Sequence, residues 1–399
     1  MSAGGGAPTD IRGTIRAIPP EDYAAAQAVT REAFGGPGED PRWLASVAHS
    51  YPVGAYDGGR VVSFARVKPY QQWFGGRAVP MGGVASVAVA ATHQRRGLAR
   101  ATVAAALDVL RERGFAVSAL FPATAPLYRG LGWELAGDYV WLDVPGALLR
   151  GLGPVDGVTL RPAVAADVPG VLAAYGRLCR ESNGLLDRGG PFFDRSPESM
   201  LAVDSFVVAE GPGGVEGYCI AERRNAGHEV AVTAWDVVGT TPAAERAVWF
   251  ALGAGSSTAR TVRAKASPDA LALLLAEPEV SVHEHLRWML RLVDAPAAVS
   301  ARGWPGALSA RVDLDVTDPQ IEDNAGRWRL AVEDGYGTLT RGGDGAVGLG
   351  IGTLSALYAG YADPFTLRRA GRLTAGDDAA LDALATITAG PRPRLLDYF

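Results

Sequence analysis

A strand that runs directly into a helix carries the most informative residues of the chain. The strand contains Val87, Ala88 and Val89, and the helix follows the stretch Gln94-Arg95-Arg96-Gly97-Leu98-Ala99. The first turn of a helix offers unpaired N–H groups and the positive end of the helix dipole, and a glycine lets the backbone approach a ligand closely. Because two arginines add charge, the segment predicts a cradle for a pyrophosphate. A solvated basic helix start is the plainer alternative.

This stretch resembles the acetyl-CoA loop of the GNAT N-acetyltransferases, which reads Gln/Arg-x-x-Gly-x-Gly/Ala. The resemblance implies that the main chain at the strand end pairs with the pantetheine arm and polarises the thioester carbonyl. It also implies that the arginine loop holds the phosphates and that the end of the next strand borders the cofactor. The implied cofactor-binding residues are Val87, Ala88, Val89, Gln94, Arg95, Arg96, Gly97, Leu98, Ala99, Arg100, Ala123 and Thr124.

Two residues match the proton-transfer groups of the same family. Tyr128, in the stretch from Ala125 to Trp133, matches its general acid, and the carboxylate of the C-terminal residue Phe399 matches its base. A phenol near pKa ~10 protonates a thiolate near ~8.5 only uphill, by about 2 kcal/mol, so we expect Tyr128 to hydrogen-bond the sulfur. Without the loop upstream, Tyr128 would be read as a half-buried aromatic on a helix.

Features further along the chain resemble one branch of that family, the Eis (enhanced intracellular survival) acetyltransferases. They are Trp328 to Gly335, Leu354 to Gly360 and the ending Leu396-Asp397-Tyr398-Phe399. The resemblance implies a third domain like a sterol carrier protein, acetylation of aminoglycoside amines at several positions, and a homohexamer.

A polycationic amine requires acidic walls. Asp397 is a candidate because it adjoins Phe399, Asp294 because family members carry a pocket acid near the end of the second copy, and the Glu39-Asp40 pair by its charge. Trp43, in the helix after Pro41, could supply an aromatic face. For each of these residues a solvated surface position is an equally good interpretation.

The elements that must position these residues repeat along the chain. Strand, helix, antiparallel strands, helix and strand follow one another from Thr14 to Phe121, and the same order returns from Val158 to Ala266. The second copy has Gly239-Thr240-Thr241-Pro242 in place of the arginine loop, so we expect no acetyl-CoA there. Strands between Ala310 and Arg341, then two helices, indicate an α+β domain. We therefore predict a catalytic domain at 1–150, a degenerate copy at 151–300 and a sterol-carrier-like domain at 301–399.

The composition of the chain indicates which classes of partner and which cellular setting to expect. A net charge of −5 with 20% charged residues offers no basic face for nucleic acid. Two cysteines exclude a disulfide framework, and no apolar run reaches the length of a membrane span, so we expect a cytoplasmic protein. The motif His283-Glu284-His285 lacks a third ligand, and we expect no metal.

The sequence thus predicts two tandem GNAT-like α/β domains and an α+β domain. The expected activity is acetyl-CoA-dependent N-acetylation of polycationic small molecules by direct attack of the amine on the thioester. The alternatives are acetylation of protein lysines, and a lipid-binding or regulatory protein that uses the third domain. A wide acidic pocket would favour small polycations, and a shallow groove would favour a peptide.

Overall fold

The structure is a computed structural model that describes residues 14–399 apart from 37, 39, 227–228 and 255–258. The first repeat contains a two-stranded hairpin and five helices around the strands that form the site. Its strands are β1 (Arg16–Ala17), β2 (Tyr51–Gly54), β3 (Tyr56–Asp57), β4 (Arg60–Val61), β5 (Ser63–Phe74), β6 (Arg77–Val89), β7 (Val117–Leu120) and β8 (Glu134–Pro145). Its helices are α1 (Tyr23–Phe34), α2 (Pro41–Ala48), α3 (Leu98–Glu112), α4 (Ala125–Arg129) and α5 (Gly146–Gly151).

The second repeat follows the same order of elements. Its strands are β9 (Thr159–Pro162), β10 (Ser205–Gly211), β11 (Gly214–Ala226), β12 (Glu229–Gly239), β13 (Thr261–Lys265) and β14 (Ser281–Leu292). Its helices are α6 (Val168–Arg180), α7 (Pro197–Leu201), α8 (Pro242–Gly253) and α9 (Pro268–Leu274).

The two repeats share one twelve-stranded sheet in the order β1-β2-β5-β6-β7-β14-β8-β13-β12-β11-β10-β9. The last strand of the second repeat, β14, lies between β7 and β8 of the first repeat and pairs with both. Strand β8 pairs in turn with β13 of the second repeat. Each repeat therefore completes the sheet of the other, and neither has a free edge at the junction.

The third domain packs a five-stranded sheet, in the order β17-β16-β15-β18-β19, against its helices. The strands are β15 (Ala310–Thr317), β16 (Gly326–Glu333), β17 (Tyr336–Arg341), β18 (Val347–Gly350) and β19 (Leu373–Ala375). The helices are α10 (Ala295–Ala301), α11 (Ile351–Ala359), α12 (Pro364–Arg369) and α13 (Asp378–Thr388).

The core of the third domain is continuous with that of the first repeat. Leu314 and Leu357 belong to the same buried cluster as Met81 and Trp288 of the shared sheet. On the sheet face that carries α3, a separate cluster joins Leu107 and its helical neighbours to strands of the first repeat. The sheet is thus covered on both faces, and within the described residues no helix has the length and apolar character of a membrane span.

Most predicted elements lie within two or three residues of the observed ones, and differences concentrate where a strand depends on distant partners. The apolar patterning of the sequence predicts helices from Gly97 to Arg113 and from Pro242 to Gly253 and a strand from Val84 to Val89. The first helix is α3, Leu98–Glu112, and the second, α8, has the predicted bounds. The strand expected at 84–89 is only the second half of β6, which begins at Arg77 and forms a long hairpin with β5. Its first half contains Pro80, Gly82 and Gly83, which local patterning does not assign to a strand.

Candidate active site

The site lies where two parallel strands separate. Strands β6 and β7 pair only at Met81–Val117, Gly82–Ser118 and Gly83–Ala119. Beyond these pairs β6 continues to Val89 while β7 ends at Leu120, so a V-shaped opening forms between them. The N–H and C=O groups of β6 and β7 that face this opening do not hydrogen-bond to each other. They are therefore available to pair with an extended ligand.

A bulge in β6 aims the main chain into this opening. Ser86 and Val87 together lie opposite Ala65, because the ladder with β5 shifts between Phe64–Ala88 and Arg66–Ala85. Ser86 has a φ of 57°, an uncommon conformation for a residue other than glycine. Such bulges redirect the strand next to functional sites. Sequence reasoning selected Val87 to Val89 from the resemblance but did not find the strained Ser86, since a serine gives no sign of a positive φ.

One cavity, which we call the cofactor cavity, runs from the opening to the start of α3 and has a volume of about 460 Å³. It brings together eleven of the twelve predicted cofactor residues; only Arg96 is not in its lining. The other lining residues are Ala33, Phe34, His93, Leu127 and Tyr128.

The loop before α3 has the backbone of an anion-binding turn. Arg95 and Gly97 have positive φ values of 61° and 78°, and Gly97 is the N-cap of α3 without a side-chain cap. Successive N–H groups in such a turn converge on an anion. Arg95 lines the cavity, whereas the charge of Arg96 acts on Asp57 outside it. Phosphates of acetyl-CoA therefore fit this loop.

Tyr128 stands at the junction of the cofactor cavity and a second cavity. It lies on α4, is 4% exposed, and lines both. Burial raises the pKa of Tyr128 to about 12, and the neighbouring Tyr398 adds to the shift. The phenol is therefore protonated throughout the neutral range and can donate a hydrogen bond.

The second cavity, which we call the acceptor cleft, has a volume of about 770 Å³. The C-terminal residue Phe399 lies in it, with its ring 5.3 Å from that of Tyr70 and 5.6 Å from that of Phe121. A Cβ at Gly83 would come within 2.8 Å of the Phe399 ring, so the base of the opening requires a glycine there. The cleft lining is Phe34, Arg66, Val84, Ala85, Ser86, Val87, Phe121, Pro122, Ala123, Tyr128, Leu135, His285, Leu286, Arg287, Tyr398 and Phe399.

The C-terminal tail, residues 389–399, reaches the cleft through contacts with both repeats. Leu395 N donates to Asp138 O of β8 at 2.9 Å, and Arg394 N donates to Asn183 O of the second repeat at 2.9 Å. Lys265 Nζ donates to Leu396 O at 2.6 Å. Because a terminus frays unless it is tied down, these bonds are what places Phe399 reproducibly.

A buried ion cluster completes the anchor. Asp397 forms an ion pair with Arg188 at 2.9 Å, and Arg188 forms a second ion pair with Asp236 of β12. Burial would raise the pKa of Asp236, but the charge of Arg188 outweighs it and lowers the pKa below its usual value. Asp397 is thus neutralised by an arginine, and its carboxylate faces the second repeat instead of forming an acidic wall.

The other residues predicted to bind a polycation also lie elsewhere. Asp294, expected in the pocket, lies at the opposite end of the strands, beyond the end of β14, where its side chain caps α10 by accepting from Ala297 N at 2.9 Å. It is misplaced because β14 runs antiparallel to β7, so the middle of β14 and not its end faces the cleft. Asp40 caps α2. Trp43 stacks near the cleft on Arg66, and Glu39 is outside the described residues.

The corresponding cleft of the second repeat is filled. Its cavity has a volume of about 40 Å³ and is lined by Glu245, Lys265, Arg394 and Leu396 among others, so side chains of the tail occupy it. The N-terminus of α8 is capped by the hydroxyl of Thr241, which accepts from Ala244 N at 3.1 Å. An anion-binding turn like that before α3 is absent at this described helix start.

The two histidines of β14 have carboxylate partners. His285 Nε2 lies 2.7 Å from Asp138 Oδ1 and His283 Nδ1 lies 3.3 Å from Asp143 Oδ2. In the part of the chain that the structure describes, no group of three or more His, Cys, Asp or Glu side chains converges as a metal site. His93, beside the arginine loop, lies 2.9 Å from Asp57.

Comparisons with known proteins agree with this architecture. Residues 14–136 and 184–292 each match a model of an acetyltransferase (GNAT) domain, and residues 295–396 match a sterol carrier protein domain. An uncharacterized N-acetyltransferase of Streptomyces avermitilis is 32% identical over 372 residues, 87% of this chain and 88% of that protein. N-acetyltransferase Eis of Mycobacterium tuberculosis is 27% identical over 389 residues, 90% of this chain and 92% of that protein.

A solved structure is similar over nearly the whole chain. The crystal structure of a GCN5-related N-acetyltransferase from Kribbella flavida has 34% identity and a TM-score of 0.84, and the match covers 96% of this chain and 98% of that one. The fold and the site together define a GNAT acyltransferase. The chain belongs to the GNAT N-acetyltransferases and is similar to Eis over 90% of its length, which confirms the predicted fold class and the predicted enzyme class.

Proposed function

We propose that the protein transfers the acetyl group of acetyl-CoA to a primary amine of a small molecule by direct attack of the amine on the thioester. The observation that carries this proposal is the meeting of two cavities at Tyr128, Val87 and Ala123, one ending at the arginine loop and the other containing the C-terminal residue. A bound thioester would lie at this junction, and an amine would reach it from the cleft. A cleft of about 770 Å³ is in the usual range for small-molecule sites.

Acetyl-CoA supplies the activated acetyl group, and the chain supplies orientation and charge stabilisation. The loop with Arg95 and Gly97 binds the phosphates. A main-chain N–H of the bulge at Ser86 and Val87 donates to the carbonyl oxygen, where negative charge develops. The carboxylate of Phe399 accepts a proton from the substrate ammonium, directly or through a water, and the neutral amine that results attacks the thioester. Because a free carboxylate is a weak base, near pKa ~3.5, its position beside the amine matters more than its basicity.

Tyr128 acts on the departing thiolate as a hydrogen-bond donor. Its pKa of about 12 makes full proton transfer to a thiolate near pKa ~8.5 unfavourable by about 5 kcal/mol. A hydrogen bond from a protonated phenol stabilises the thiolate without that transfer. The buried position of the phenol, 4% exposed, keeps water from competing for it.

For the acceptor substrate, we propose a small-molecule amine and no narrower class. An aminoglycoside, which the family resemblance implied, requires acidic walls, and the described carboxylates predicted for that purpose are paired, capping or distant. Acetylation at several positions and a hexameric state likewise rest on the resemblance. Light scattering of the purified protein tests the hexamer, which predicts about six times the mass of a 399-residue chain.

The proposed function is tested by two measurements on the same protein. Calorimetry should show one acetyl-CoA per chain, because the cavity at the corresponding position of the second repeat has a volume of only about 40 Å³. Thiol release from acetyl-CoA should depend on an added amine, in a panel of aminoglycosides, diamines, amino acids and lysine peptides. Release that is equally fast without any amine, or no acetyl-CoA binding, would contradict the proposal. Turnover of a lysine peptide alone would favour protein acetylation.

A further inference from the structure

The acceptor cleft contains a buried positive charge without a carboxylate partner. Arg66 of β5 is 7% exposed, and Nη1 donates to Ser46 Oγ at 2.6 Å. Its guanidinium carbon lies 5.2 Å from the centre of the Trp43 ring. Nε is buried and makes no hydrogen bond to any described residue. A buried charged donor without an acceptor is costly, so the folded protein holds Arg66 ready for an acceptor that a ligand would provide.

Two more cations accompany Arg66, one beside it on β5 and one elsewhere in the cleft lining. Lys68 follows on the same face of β5, and burial lowers its pKa to about 8 with the charge of Arg66 as the second cause. Arg287 of β14 is exposed and lines the cleft. Its cross-strand neighbour Asp138 is already engaged by His285 and Arg392. None of these three cations, Arg66, Lys68 and Arg287, forms an ion pair with a residue in the described ranges.

Negative charge in the cleft is confined to the chain end. The described lining residues include no aspartate and no glutamate, and Phe399 contributes the terminal carboxylate. Asp397 is withdrawn into its ion pair with Arg188. The cleft therefore presents one anion where the amine must react and at least two cations along its walls. This distribution complements a molecule with a cation at one end and an anion at the other, and it repels a polycation.

We propose that the acceptor is a primary amine that also carries an anionic group, a carboxylate or a phosphate, and that Arg66 and Arg287 bind this group. This inference rests on the proposed function, since it names the acceptor of the same site. The ammonium lies against the Phe399 carboxylate, and the anion takes the unused donors of Arg66. Trp43 stacks on the guanidinium and holds its plane, which makes it a positioning residue for the anion.

The decisive experiment compares acceptors that differ only at the far end. Three probes have four-carbon chains and differ at the end opposite the amine. γ-Aminobutyrate has an anion there, n-butylamine has no charge and putrescine has a cation. O-phosphoethanolamine and ethanolamine repeat the comparison for phosphate. Each probe is titrated calorimetrically into the protein saturated with CoA, and kcat/KM is measured with acetyl-CoA. We expect the carboxylate probe or the phosphate probe to exceed its neutral partner by about tenfold or more in affinity and in kcat/KM. Putrescine should have the lowest values.

Two variants connect the preference to the arginines. Arg287→Gln, at an exposed position that tolerates substitution, and Arg66→Gln should each reduce the advantage of the anionic probe about tenfold, through KM more than kcat. Arg66→Lys should restore part of it. The acetyl-CoA Kd should not change in any of them. Arg311→Gln, at an exposed position of β15 outside the cleft, is the matched control and should behave as the wild type.

Tighter binding and faster acetylation of putrescine or kanamycin than of both anionic probes would overturn the inference. A preference for anions that survives both glutamine substitutions would overturn the assignment to Arg66 and Arg287. Absence of thiol release with every amine would instead reject the proposed function, and the calorimetric order of the probes would still decide which charge the cleft accepts.

Discussion

At the scale of single residues, the proposed chemistry depends on where the protein places two groups, the phenol of Tyr128 and the carboxylate of Phe399. The phenol of Tyr128 is buried, which keeps it protonated, and Phe399 lies in the cleft, where we propose that its carboxylate meets the amine. Neither group has unusual intrinsic reactivity. Their contribution comes from location, so it should be lost when the location or the functional atom changes.

We expect Tyr128→Phe to lower kcat by roughly 10²-fold or more while both KM values change little, because the variant removes a donor to the thiolate and keeps the ring. Steady-state kinetics measures this. Tyr358→Phe is a matched control, since Tyr358 is equally buried in the third domain and its hydroxyl donates to Ala298 O at 3.1 Å. A fully active Tyr128→Phe would show that the ring only fills the core.

The raised pKa of Tyr128 also predicts a pH dependence. The unfolded pKa is about 10 and the folded value is about 12, so the protonated, active form persists across that interval. The stability linked to this group is complete below pH ~10 and is lost as the pH rises toward about 12. The difference in phenolate absorbance between wild type and Tyr128→Phe should therefore be small at pH ~10. A half-titrated phenol at that pH would contradict the burial argument.

At the scale of elements, the site consists of a loop, a bulge and a tail that three different parts of the chain supply. The loop before α3 and the bulge in β6 are neighbours in sequence, and the tail comes from the end of the chain. Only the loop has a pattern that sequence alone assigns to phosphate binding. Within it, the structure separates two adjacent arginines that looked equivalent.

Arg95→Ala should raise the KM and Kd for acetyl-CoA about tenfold, because Arg95 lines the cofactor cavity and a charge-assisted hydrogen bond is lost. Arg96→Ala is the natural control and should have a smaller effect, since Arg96 is outside the cavity lining and near Asp57. Calorimetry with acetyl-CoA checks both variants. Equal effects of the two substitutions would show that the phosphates lie further out than this cavity indicates.

Changes at the chain end should stop turnover without affecting cofactor binding. Deleting Phe399 displaces the terminal carboxylate by up to ~3.5 Å, and a C-terminal tag converts it into an amide. Phe399→Ala keeps the carboxylate and removes the ring that packs on Tyr70 and Phe121, so activity should fall only in part. The assays are thiol release and acetyl-CoA calorimetry, with an N-terminal tag as control. A C-terminally tagged enzyme with full kcat would place the base elsewhere.

At the scale of the whole molecule, the second repeat and the third domain serve the first repeat's site. The second repeat contributes β14 to the wall of the cleft, and its own cleft is filled by the tail. The third domain ends in that tail and shares its core with the sheet. The tail that fills the cleft of the second repeat is the same segment that ends at Phe399 in the acceptor cleft.

Asp397→Asn should therefore reduce kcat several-fold with an unchanged acetyl-CoA KM, because it weakens the anchor on Arg188 while the fold remains. Arg188→Met removes the partner of the buried Asp236 and the partly buried Asp397 and should destabilise the protein by about 3–5 kcal/mol. Asp378→Asn, in the exposed pair with Arg368, is the control for loss of a surface carboxylate. Thermal unfolding and kinetics together separate the two effects. An Asp397→Asn enzyme with unchanged kcat would show that the hydrogen bonds of the main chain suffice to place Phe399.

Local sequence motifs determined much of this protein. The arginine loop and the α/β repeat were predictable because each depends on residues that are adjacent, or on a periodicity that burial imposes directly. The positions of most helices and of the strands with alternating apolar residues followed from the same local rules. The proposals for Gln94 to Arg100 and Tyr128 therefore arise from the sequence, and the structure brings those residues except Arg96 to one cavity.

Only the tertiary structure decided how the repeats combine and which charge the acceptor cleft carries. Strand exchange places β14 between β7 and β8, a pairing between residues 138 or more positions apart that no local pattern encodes. Asp397 was expected beside the amine because it adjoins Phe399, and Asp294 because of the family resemblance, yet Asp397 turns to Arg188 and Asp294 lies at the opposite end of the strands. Whether a charged side chain is free or paired depends on its neighbours in space, and burial then sets the energetic cost of leaving it unpaired. For that reason Arg66, unremarked in the sequence, becomes a determinant of what this site can bind.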